Sequence, residues 1–118
     1  MVTAYVPEAG DIVVLDFDLH VGREQAKRRP ALVLTDIRYN RASGLAVVCP
    51  LTSKRKPYPF ALPVTVGQVE GAILVDQLKS MYWVGRHAEF HSKAPASIVT
   101  KVRQYIAVLL SIREPRTK

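Results

Sequence analysis

The chain has 118 residues, which fits a single domain able to bury one modest core, and its 48% hydrophobic content argues against global disorder. Seventeen basic against ten acidic residues give a net charge of +7, which favours a polyanionic partner: RNA, DNA, an anionic membrane or an acidic protein. The single cysteine, Cys49, excludes an intrachain disulfide, no apolar run approaches the roughly 18 residues of a spanning helix, and residues 1–11 lack the features of a secretory signal, so a cytoplasmic protein without a membrane segment is expected.

Gly10-Asp11 opens an apolar, β-branched run over residues 12–17 that predicts a strand. Residues 18–29 carry no periodic pattern and read as a long loop, a length that is often functional in compact domains. Residues 31–35 predict a second strand, residues 40–44 a turn, and Leu45–Thr52 a third strand. Pro57 and Pro59 bracket Tyr58 and predict an irregular stretch before a strand at Ala61–Val66. Residues 71–78 read as another strand, and residues 82–90 as a weaker, alternating one.

Pro95 suits the first turn of a helix. Beyond it Ile98, Val99, Val102, Tyr105, Ile106, Leu109 and Leu110 fall on one helical face, with Lys101, Arg103 and Gln104 opposite. Short strands followed by one amphipathic helix predict a mainly β architecture, a small, strongly bent sheet or barrel closed by that helix. The domain is expected over residues 1–112, with 113–118 as a polar tail.

Chemistry-bearing residues concentrate in two stretches. Glu24, Lys27, Arg28 and Arg29 share the long loop, where a carboxylate beside a guanidinium could serve acid–base work on a phosphate. On spacing alone, a solvated loop with weak surface ion pairs is the better account. Arg29 is the exception, because it directly precedes Pro30 and the apolar Ala-Leu-Val-Leu run, where a strand start can hold it. Thr52 ends a strand and is followed by Ser53, Lys54, Arg55 and Lys56. A hydroxyl donor beside a basic triplet suits a phosphate backbone, and a plain strand end with solvated charges suits it equally. Tyr58 and Phe60 offer either base-stacking faces or ordinary packing.

Asp76, Gln77 and Lys79 close a strand whose end could share a rim with Arg29 and Thr52. His87, Glu89 and His91 alternate as three metal ligands on one strand face would, but a polar outer face with Ala88 and Phe90 turned inward is the favoured reading. Cys49 is expected in the core, and Trp83 as a packing or interface anchor rather than a catalytic group. Neither a glycine-rich phosphate loop nor a nucleophile elbow is present.

Five ordered stretches carry a resemblance: YVPEAGDIVVLDFD (5–18), GREQAKRRPALVL (22–34), YNRASG (39–44), CPLTSKRKPYPF (49–60) and DQLKS (76–80). At matching separations, over essentially residues 1–110, the chain resembles the MazF/PemK family of toxin endoribonucleases. The resemblance implies an SH3-like barrel of the CcdB/PemK kind with a C-terminal helix, assembled as a homodimer. It implies sequence-specific, metal-independent cleavage of single-stranded RNA with no cofactor. It also implies a MazE-like antitoxin whose acidic, extended segment covers the RNA-binding surface. Carried over position by position, the family's essential arginine falls on Arg29, its threonine on Thr52 and its first-loop glutamate on Glu24. Phe17, Arg23, Gln25, Lys56, Gln77 and Lys79 match positions expected to contact RNA. Arg23 stands where some members carry a histidine, and Leu74 where the PemK branch has an arginine two residues before the aspartate, so Glu24, Arg29 and Thr52 are expected to carry the chemistry rather than Asp76.

In that chemistry the RNA 2′-hydroxyl attacks the adjacent phosphorus, Arg29 and Thr52 stabilise charge on the phosphoryl oxygens, and Glu24 takes the 2′ proton. The same composition would also suit a non-catalytic basic module for nucleic acid or protein, such as a CcdB-like topoisomerase-directed toxin. A carboxylate paired with Arg29 and Thr52 is what a passive binder does not need.

Overall fold

A computed structural model of the chain describes residues 4–18, 27–53, 58–66 and 69–113. Seven strands run β1 (Asp11–Asp18), β2 (Lys27–Val33), β3 (Leu45–Thr52), β4 (Ala61–Val66), β5 (Val69–Leu74), β6 (Lys79–Tyr82) and β7 (Glu89–Lys93). Helix α1 (Ile37–Ser43) joins β2 to β3, a 3₁₀ turn (Val75–Gln77) separates β5 from β6, and α2 (Ala96–Leu109) follows β7. The strand order is β4-β5-β3-β2-β1-β7, antiparallel throughout, with β6 added on β3. β4 and β7 end that order without pairing to each other, so the expected bent sheet is present but does not close into a barrel.

Both faces of the central strands are buried, which is why β1 and β3 read as nearly continuous apolar runs rather than as alternating ones. Ile12, Leu32, Cys49, Ile73 and Val75 turn toward α2, which buries Val99 and Val102 among them. Val13, Leu15, Phe17, Ala31, Val33, Val48 and Met81 form a second cluster on the opposite face. β3 is the hub. Val48 pairs with Val33 of β2 on one edge and with Lys79 of β6 on the other, and farther along Leu51 and Thr52 pair with Ile73 and Ala72 of β5.

Several expectations are corrected. The loop predicted over residues 18–29 is shorter at its far end: β2 begins at Lys27, with Arg28 opposite Asp16 and Arg29 opposite Leu15. A cross-strand ion pair between Arg28 and Asp16 supports that extension in a stretch without apolar pattern. Residues 40–44 lie in and just after a helix, α1, rather than forming a simple turn. The Asp36 carboxylate accepts the Arg38 backbone N–H at 2.8 Å, and Gly44 ends the helix in the left-handed region at φ 73°.

The strand predicted at 71–78 stops at Leu74, where the 3₁₀ turn begins. The strand predicted at 82–90 is the end of β6, a turn, and the start of β7; within the turn His87 takes φ 54°, which no strand accommodates. Pro95 caps α2 from outside its first turn, and Leu110 lies beyond its end, exposed. No helix among the described residues is long and apolar enough to cross a membrane.

Candidate functional site

The β2–β3 ladder ends at the pair Ala31–Pro50. Past that point the strands part, because Pro30 and Arg29 stay paired with Val14 and Leu15 of β1 while Leu51 and Thr52 pair with β5. Between them lies a cavity of about 320 Å³ lined by Arg29, Pro30, Leu51, Thr52, Ser53, Val64, Val66 and Gly71. Arg29 and Thr52 thus border one space from two different strands, each half-buried and each placed by a backbone ladder rather than by a loop. A Cβ on Gly71 would lie 2.2 Å from the Thr52 carbonyl oxygen, so only glycine lets β5 approach closely enough to seat Thr52. A guanidinium and a hydroxyl carried on two strands that part at this point form a donor pair suited to phosphoryl oxygens.

Lys79 starts β6, and its ammonium lies 4.6 Å from the centroid of the Phe17 ring. Phe17 is only 5% exposed, so its ring supports Lys79 by a cation–π contact and offers no open stacking face. Gln77 is exposed on the 3₁₀ turn. Glu24, Arg23, Gln25 and Lys56 lie outside the described residues, as do Lys54 and Arg55. Tyr58 is exposed and its hydroxyl donates to Asp76 Oδ2, which raises the phenol above its usual range. Asp76 Oδ1 is buried without a hydrogen-bond partner among the described residues. Phe60 turns inward against the core and meets the Tyr105 ring edge-on at 6.4 Å. Burial, helped by the nearby Asp76 charge, pushes the Cys49 thiol up to about 12, so the neutral core role expected of it holds.

The residues from His87 to His91 do not share one strand face. His87 sits in the turn with Nδ1 2.8 Å from Asp16 Oδ2, whereas His91 Nδ1 lies 2.9 Å from the Ser92 hydroxyl. Phe90 is exposed rather than inward, packed edge-on against Tyr5 with ring centroids 5.9 Å apart. No group of three metal-binding side chains occurs among the described residues. Trp83 is an anchor, its indole N–H donating to the Asn40 carbonyl at 3.0 Å.

Two arrangements escaped the sequence reading. Arg28 bonds Asp16 at 2.9 Å and Glu89 at 2.8 Å and also donates to the carbonyls of Val14 and His87, tying β2, β1 and β7 together. The His87 hydrogen bond holds the Asp16 carboxyl below its usual range; partial desolvation opposes this and Arg28 assists it. Arg86 donates to the carbonyls of Asp16 at 2.9 Å and Phe17 at 2.7 Å, fixing the end of β1. Strand pairing brings Asp16 opposite Arg28 and could have revealed the first arrangement. Nothing local to Arg86 announces the second, because its partners are main-chain atoms 69 and 70 residues away.

The family described as PemK-like, MazF-like toxin of type II toxin-antitoxin system matches residues 8–110. The endoribonuclease toxin MazF of Escherichia coli (strain K12) is 36% identical over 110 residues, spanning 93% of this chain and 99% of that protein. Endoribonuclease PemK of Escherichia coli is 26% identical over 109 residues, spanning 88% and 82%. A crystal structure of MazF from Deinococcus radiodurans superposes with a TM-score of 0.83 at 42% identity, covering 92% of this chain and all of that one. A MazE-MazF structure from the same organism gives 0.82 at 39% identity, covering 93% of this chain and 100% of that one.

Proposed function

This chain belongs to the PemK-like, MazF-like toxins of type II toxin-antitoxin systems, and from that membership we propose that it is an endoribonuclease toxin that cuts single-stranded RNA, mRNA in particular, at a specific sequence in the cytoplasm. The observation that carries the reading is the cavity where β2 and β3 part, with Arg29 on one wall and Thr52 on the other. RNA supplies its own nucleophile: the 2′-oxygen forms a bond to the adjacent phosphorus, the bond from phosphorus to the 5′-oxygen breaks, and a 2′,3′-cyclic phosphate remains. Excess negative charge grows on the phosphoryl oxygens, where Arg29 donates charge-assisted hydrogen bonds and Thr52 a neutral one. Glu24 takes the 2′ proton, and a proton from solvent water reaches the departing 5′-oxygen. Holding the attacking oxygen in line does much of the rest and requires no metal.

Lys79, seated above the Phe17 ring, guides the RNA backbone together with Arg23, Gln25, Lys56 and Gln77. The net charge of +7 also suits an acidic, MazE-like antitoxin, consistent with the MazE-MazF complexes among its structural neighbours. Exposed Tyr82, Val84 and Phe90 supply apolar surface for a homodimer.

The test is incubation of RNA with the purified protein in excess EDTA, with fragment ends identified by mass spectrometry. Fragments ending in 2′,3′-cyclic phosphate and 5′-hydroxyl are expected. Intact RNA in the presence of folded protein would return the chain to the class of non-catalytic binding modules, the topoisomerase-directed toxins among them.

A further inference from the structure

Arg28 and Arg29 are neighbours in β2, and successive side chains of a strand leave from opposite faces. Arg29, opposite Leu15, borders the cavity, whereas Arg28, opposite Asp16, leaves from the other face. Arg28 Nη1 donates to Asp16 Oδ1 at 2.9 Å. Its Nη2 donates to Glu89 Oε1 at 2.8 Å, to the His87 carbonyl at 2.9 Å and to the Val14 carbonyl at 3.1 Å. Two carboxylates in direct contact offset its charge, so Arg28 contributes little to the attraction of phosphates. The place of these contacts along the ladder matters more. The β1–β2 register runs evenly from Ile12–Leu32 to Asp16–Arg28 and then slips: Asp18 pairs with Lys27, and Phe17 is the extra residue. Arg28 therefore makes the last regular pair before the bulge, one residue from Arg29. Lys27, Arg28 and Arg29 follow one another at the start of the strand, with no apolar side chain to bury and like charges that repel.

Resting on the ribonuclease reading, we propose that Arg28 is a positioning residue: its contacts to β1, β7 and the turn before β7 pin the start of β2, and through the main chain they set where the Arg29 guanidinium meets the phosphoryl group. The chemistry of the contact calls for arginine. A planar fork with five N–H donors reaches acceptors on separate strands, whereas a lysine carries the same charge on a single nitrogen and cannot span them. Freed from the pin, the first residues of β2 keep only a ladder interrupted by the bulge, and Arg29 shifts with them. A shift of about 1 Å in a group that contacts the reacting atoms can lower a rate by about 10²-fold. Because charge grows on the phosphoryl oxygens only in the transition state, a misplaced Arg29 shows in kcat rather than in KM.

The experiment measures single-turnover cleavage, KM and the salt dependence of kcat/KM for Arg28→Ala and Arg28→Lys, each made in the wild type and in Arg29→Ala. Both substitutions are expected to lower kcat about tenfold with KM within about threefold, and to change the residual rate of Arg29→Ala by no more than about twofold. The slope of log kcat/KM against log salt is expected to stay at its wild-type value. A merely destabilising change would lower the rate equally on both backgrounds, and that result overturns the proposal. Wild-type kcat in Arg28→Lys shows that charge suffices and also overturns it. So does a slope reduced by about one phosphate in Arg28→Ala, which marks Arg28 as an RNA contact. If neither Arg28 variant folds, Glu89→Ala carries the test, since it removes one exposed partner of the pin and leaves the core untouched. A loss of about threefold in kcat that disappears in Arg29→Ala is then expected, and wild-type kcat overturns the proposal. All of these failures leave the nuclease standing, whereas failure of the folded wild type to cut RNA overturns the nuclease reading and the positioning role together.

Discussion

Arg29 stands opposite Leu15 within a ladder and Thr52 opposite Ala72 within another, so the strands bear the cost of orienting both before any substrate arrives. Replacing either by alanine removes a donor from the cavity and leaves both ladders intact. Arg29→Ala and Thr52→Ala are each expected to lower RNA cleavage by about tenfold or more while the protein keeps its folded circular-dichroism spectrum; Arg29→Ala at wild-type rate would remove Arg29 from the chemistry. Asp16 tests a different role. Its carboxyl is held below the usual range, first by the His87 hydrogen bond and then by Arg28, so the folded state favours the ionised form. Such a group contributes stability that is present above its ordinary value of 3.8 and is lost as pH falls through the depressed folded value. Asp16→Asn should therefore melt below the wild type at neutral pH. The gap should close as the pH is lowered beneath the ordinary value, read from melting temperature against pH.

At the scale of elements, β3 positions the site because it serves β2 and β6 at one end and β5 at the other. The contact that permits this is the approach of Gly71 to the Thr52 carbonyl. Gly71→Ala must push β5 away from β3, since its Cβ would meet a backbone oxygen at 2.2 Å. A loss of about 1–3 kcal/mol in unfolding free energy is expected, with cleavage reduced beyond what the unfolded fraction explains, because Thr52 moves with the strand. Denaturant titration alongside single-turnover cleavage separates the two effects. Elements built from apolar, β-branched runs were legible in the sequence: β1, β3, β4 and the buried face of α2. Those made by capping or by distant partners were not. α1 depends on Asp36 and Gly44 at its ends, and the turn after β6 is held by Trp83 and Arg86 reaching Asn40 and the end of β1. Residues 82–90 carry an alternation that resembles a strand, but tertiary contacts override it.

Across the whole molecule, the +7 charge favours RNA over any neutral ligand, and the binding it drives is paid for by released counterions. The kcat/KM for RNA should fall steeply between about 50 and 200 mM salt, while kcat at saturating RNA changes little. A salt-independent kcat/KM would mean that the basic surface does not meet the substrate. Composition, charge and five ordered stretches of sequence sufficed to determine a small, mainly β domain with a C-terminal helix and its kinship with toxin endoribonucleases, because strand and helix periodicities are local and motif spacing is written along the chain. They also singled out Arg29 and Thr52. What only the tertiary structure decided is where those two residues meet. The cavity depends on β3 leaving β2 after Pro50, and the open sheet on β4 and β7 failing to pair. Both are matters of register between segments dozens of residues apart, and no local pattern encodes such a register because it is set by how the two buried faces of the sheet pack.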